Sequence, residues 1–116
     1  MSYKFENLNA WQSAKQLALM IYDATTEYPD NEKFGLVSQT NRASVSVAAN
    51  IAEGTSRKSH KDFSHFLDIA LGSAFELETL VIIAFERKLF DLETKDKLDN
   101  MIIQTEKLIN GLKRSL

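Results

Sequence analysis

"QTNRASVSVAANIAEGTSRKSHKDF", residues 39–63, decides how this chain folds. Up to Glu53 it holds no breaker and is built mostly from small residues, so it predicts helix. Gln39, Arg42, Ser46, Asn50 and Glu53 recur at steps of three, four, four and three. That spacing sets five polar groups along one side of the helix. Three readings follow, in this order. The first is a hydrogen-bond network, internal or between subunits, because the other sides of the helix are rich in Ala and Val and poorly suited to water. The second is a solvated face. The third is a ligand site, ranked last because no nucleophile or metal ligand stands near.

Working outward, the helix is predicted from about Phe34 to Glu53. Gly54 suits the left-handed residue that ends a helix. The small side chains let a neighbouring helix come close. Ser59, with Asp62 three residues on, reads as the cap of a third helix. This one runs to about Lys88 on a stripe of Phe63, Phe66, Leu67, Ala70, Ala74, Leu77, Val81 and Ala84. Leu71, Leu80 and Ile83 widen the stripe, a surplus of apolar surface that points to a partner. Gly72 and Ser73 sit in mid-helix, where glycine costs roughly 1 kcal/mol against alanine; a close crossing is the predicted reason. "LFDLE" makes a turn, and a fourth helix carries Leu98, Met101, Ile102, Thr105, Leu108, Ile109 and Leu112. Upstream, Leu8, Trp11, Ala14, Ala18, Ile21 and Thr25 give a first helix, with Asn9 and Gln12 as its start signal and "EYPDNEK" as its break.

One proline and four glycines in 116 residues argue against a many-turned β fold, and the lack of cysteine excludes disulfides and thiolate metal sites. The formal net charge is −2, so no global field draws the chain to nucleic acid or anionic lipid. The longest apolar run, near "TLVIIAF", is far too short to span a bilayer. "MSYKFENLNAW" shows no apolar signal core. The expectation is a soluble cytoplasmic protein.

Signals for catalysis are poor. Neither a Gly-rich phosphate loop nor a nucleophile elbow is present. A di-iron bundle uses two Glu-x-x-His pairs. Here the two histidines are His60 and His65, and Asp62-x-x-His65 has no second copy. No metal and no cofactor are expected. Glu76 and Glu78 point about 200° apart on a helix and cannot form an acid–base pair. Glu76 follows Ser73 by three and is a candidate partner for Arg42; two exposed glutamates are the equal alternative. Arg57, Lys58 and Lys61, with His60 among them, form the one dense basic cluster. It reads either as a solvated loop or as a set of phosphate contacts. No aromatic alternates with these residues, so no base-stacking platform is indicated.

Taken together, "FGL" at 34–36, Gln39, Arg42-Ala43, Ser46, "NIAEG" at 50–54, Arg57, "FLDIALGS" at 66–73 and "ELE" at 76–78 resemble the S23, or 23S rRNA intervening-sequence, protein family. "FENLNAWQSAKQLALMIYDAT" fits that family's first helix, while the last helix matches only in pattern. The resemblance implies a four-helix bundle that assembles into a ring, often a pentamer. It favours a shared structural role for the polar line.

The chain is therefore read as one all-α domain over residues 1–116, an up-down-up-down antiparallel four-helix bundle. The function expected is that of a non-enzymatic homo-oligomeric interaction protein binding RNA or DNA through basic loops. The alternative is a ring that scaffolds an unknown protein partner without nucleic acid. The polar network or interface comprises Gln39, Arg42, Ser46, Asn50, Glu53, Ser73 and Glu76. The candidate phosphate contacts are Arg57, Lys58 and Lys61.

Overall fold

The computed structural model describes residues 4–116. The first three residues of the expected domain lie outside these. Four helices follow one another: α1 (Asn9–Thr25), α2 (Ser38–Thr55), α3 (His60–Glu86) and α4 (Leu92–Arg114). Each packs against the helix before and after it, and α4 closes back on α1. The result is an antiparallel up-down-up-down bundle measuring 45 × 25 × 19 Å.

Side chains fill the interior in two layers. Nearer the α2–α3 turn, Ala10 and Ala14 meet Val47, Ile51, Phe63, Leu67 and Ile109. Nearer the α3–α4 turn, Leu17 and Ile21 meet Ala43, Leu77, Val81, Leu98 and Ile102. The stripes expected on α3 and α4 face the core, with Phe66, Met101, Leu108 and Leu112 half-buried at their edges and the rest buried. On α1 the buried line is Ala10, Ser13, Ala14, Leu17, Ile21 and Thr25, while Leu8, Trp11 and Ala18 are half-buried. The face is rotated by part of a turn from the one predicted.

The ends show why each helix stops where it does. Ser59 Oγ accepts a hydrogen bond from the Asp62 amide at 3.1 Å, as expected. Asp91 Oδ1 does the same for the Thr94 amide at 2.9 Å and opens α4. Those bonds to Thr94 hold the Asp91 carboxyl below the usual range. The start of α1 is at the predicted place but by another device. Gln12 Nε2 donates to the Glu6 carbonyl at 2.8 Å, and no side chain caps the helix.

Two glycines differ from expectation. The helix expected from Phe34 is interrupted at Gly35 (φ −108°, ψ −105°), so Lys33–Val37 forms a wide π-type turn before α2. Gly54 does not end α2 in the left-handed region. It lies buried inside the helix, and a Cβ there would stand 2.7 Å from Phe63 Cδ1 and 3.1 Å from Phe66 Cβ. Its role is to admit α3. Among the described residues the left-handed position is Lys88 (φ 63°), just past α3.

Candidate functional site

The polar line of α2 lies along its seam with α3. Arg42 Nη2 meets Glu76 Oε2 at 3.3 Å, so the expected partnership exists. It is not a buried one, since the side chains are 67% and 45% exposed. One turn along, the hydroxyls of Ser46 and Ser73 are 2.9 Å apart. Asn50 Nδ2 donates to the Ser46 carbonyl at 2.9 Å and to its hydroxyl at 3.0 Å. Glu53 takes the guanidinium of Arg57 at 2.5 Å. Gln39 is exposed and stands outside this chain of contacts. The line is thus a zip of hydrogen bonds running up the surface of the seam.

Arg57 is tied down more firmly than its neighbours. Its guanidinium lies 4.5 Å from the centre of the Phe66 ring, and its Nε is buried without a hydrogen-bond partner. Sequence reading missed this pairing, because Phe66 lies nine residues on and reaches Arg57 only through the α2–α3 turn. Lys58, His60 and Lys61 remain exposed at the tip of that turn.

The antiparallel topology sorts charge along the bundle. Residues 4–16, 47–72 and 104–116 make the half that ends in the α2–α3 turn. They carry eight Lys and Arg against five Asp and Glu, a net +3. Residues 17–46 and 73–103 make the other half, with six against eleven, a net −5. A nearly neutral chain is therefore a strongly polarised rod. At the acidic end an open cleft of about 480 Å³ runs between Asp23, Glu27, Phe90 and Asp91.

The apolar surplus is not where it was expected. Leu80 is buried, and Leu71 packs half-buried against the core; of the three predicted residues only Ile83 is exposed. The exposed apolar groups on the outer side of α3 are Ile69, Phe75, Ile82 and Ile83, with Phe75 58% exposed. Gly72 lies among them with open space where a Cβ would be, so no crossing inside the bundle explains it. Val45 of α2 and Ile103 of α4 extend the apolar surface on either side.

No group of three or more potential ligating side chains that could hold a metal occurs among the described residues. No helix there is long and apolar enough to cross a membrane.

An all-helical bundle with a polar seam and an apolar outer helix defines the class: a four-helix-bundle protein. The family of the 23S rRNA-intervening sequence proteins matches residues 6–111, and the chain belongs to that family. A solved structure shares the fold, with a TM-score of 0.80 over 90% of this chain and 97% of that chain at 23% identity. It is a protein of unknown function from the S23 ribosomal protein family of Bacteroides thetaiotaomicron. No curated protein matches the sequence.

Proposed function

We propose that this protein is a non-enzymatic homo-oligomer whose copies meet over the outer side of α3, and whose assembly presents the basic ends to phosphates of RNA or DNA. The carrying observation is the apolar surface Ile69–Phe75–Ile82–Ile83 on a helix whose opposite stripe already fills the core. One buried stripe is enough to hold a bundle helix; a second facing water favours a copy of the chain as its cover. Gly72 on the same side, with open space where a Cβ would be, leaves room for a second backbone to approach. A ring of five is the number the family resemblance implies.

Light scattering tests the assembly. The wild type is expected to run as an oligomer at micromolar concentration, and Phe75→Asp to run as a folded monomer. A wild-type monomer, or a variant of unchanged mass, overturns the reading.

A second reading keeps the ring and drops the nucleic acid. The net −5 of the opposite half and the engagement of Arg57 by Glu53 and Phe66 favour it. In that case the assembly scaffolds a protein partner.

A further inference from the structure

Glu78 of α3 and Glu106 of α4 face each other across the seam between these two helices. The register is pinned on both sides. Asp68 pairs with Lys113, and Lys95 Nζ stands 5.7 Å from the centre of the Phe85 ring. Antiparallel helices held at those points bring position 78 opposite 102–103, and Glu106 lies one turn further along α4, within reach of the Glu78 side chain. Both glutamates are half-buried. Glu106 Oε2 is shut off from solvent and has no hydrogen-bond partner.

The lysines nearby hold other carboxylates or line other grooves. Lys95, which lines the same cleft as Glu78, Ile82 and Ile103, holds Asp99 at 2.5 Å. Lys113 holds Asp68. Lys107 lines the cleft beside Gln104 and Leu108. On the far side of α4, α1 contributes Asn9, Gln12, Ser13 and Gln16 to the shared groove, none of them titratable.

Two carboxylates offer acceptors only. Ionised together in this seam, they repel and leave Oε2 of Glu106 unsatisfied. One added proton supplies the missing donor and removes the repulsion. We propose that Glu78 and Glu106 share one proton and act as a pH-sensitive latch on the α3–α4 seam. Burial, then the charge and hydrogen bond of Glu78, push the Glu106 carboxyl up to about 7. The two groups titrate as a pair.

The sign follows from linkage. The folded state holds this proton more tightly than the unfolded chain does. Its contribution to stability is complete below the ordinary glutamate range and is lost as pH rises through about 7. The latch closes on the acid side and slackens on the alkaline side. It concerns the seam within one copy.

Thermal unfolding from pH 5.5 to 8 tests it, with Glu106→Gln and Glu78→Gln beside the wild type. The wild type is expected to lose roughly 3–6 °C more than either variant over that interval. At pH 8 each variant should melt above the wild type. Equal losses in all three proteins overturn the latch. Carbon-detected NMR of the wild-type side-chain carboxyls gives a reading that needs no variant. One glutamate midpoint near neutral pH is expected, and titration of every carboxyl below pH 5.5 overturns the proposal.

Discussion

At Gly54 the space for a side chain is already taken. Phe63 is fully buried, and its ring edge lies 2.7 Å from where a Cβ would go. Alanine there would gain about 1 kcal/mol of helix propensity. It would also force the ring or the α2 backbone to move, at a cost of about 1–3 kcal/mol. The second effect is the larger, so Gly54→Ala is expected to destabilise by about 1 kcal/mol in a denaturant titration. A stabilised variant would mean that the α2–α3 contact is loose. The need for glycine was visible in the sequence, but its reason was not. A helix-ending glycine and one lying under an aromatic ring look alike until the residue nine places on is brought back by the turn. The same distance hid the seating of Arg57 on Phe66. The Arg42–Glu76 partnership was easier to anticipate, because spacing within each helix puts Arg42 on the polar line of α2 and Glu76 one turn from Ser73 on α3. What spacing did not reveal was exposure, and an ion pair as open as Arg42–Glu76 contributes little.

Among the elements, α3 shows most clearly how a helix can end without the residue expected there. The Leu89 amide bonds to the Ala84 carbonyl at 3.0 Å, and the Lys88 amide to that of Phe85 at 2.8 Å. Those two bonds, with Lys88 left-handed between them, make a Schellman ending. A lysine in that conformation carries a Cβ penalty that glycine lacks, though glycine gives the unfolded chain more freedom to lose. The net expectation for Lys88→Gly is a gain of about 0.5–1 kcal/mol, read as a rise in melting temperature. A fall would show that the lysine side chain contributes a contact stronger than the strain. Four helices and their polarity were legible because apolar spacing repeats over many turns. The end of α3 and the rotation of α1 were less so. On α1, Trp11 and Ala18 compete with Ala10 and Leu17 for the inner face, and only packing against α2 and α4 decides between them. The outer side of α3 was misjudged for a like reason: Leu80 and Ile83 are adjacent on the helical wheel, and the core takes only one of them.

Across the whole molecule, the separation of charge gives the fold a direction that the linear chain conceals. The basic half is gathered from three stretches far apart in sequence, and only the antiparallel topology brings them to one end. Any attraction for phosphates is confined to that end and opposed by the other. A single copy offers Lys58 and Lys61 at its tip, with Arg57 committed elsewhere. Alone, these make a weak site. Repeated around an assembly, they raise the effective concentration of contacts. Binding of this kind reads no bases, so it should not distinguish sequences. It should weaken with salt, with a log–log slope of about 0.9 for each phosphate contacted on duplex DNA. Lys58→Ala/Lys61→Ala is the informative variant, because it spares Arg57 and hence the packing on Phe66. Its affinity for duplex DNA and structured RNA at low salt should fall, and on duplex DNA its salt slope should be shallower by about 1.8 for each copy in contact. Its oligomeric mass should not change. If the wild type does not bind at low salt, or the variant binds as well with the same slope, the turn is a solvated tip. The assembly is then a scaffold for a protein.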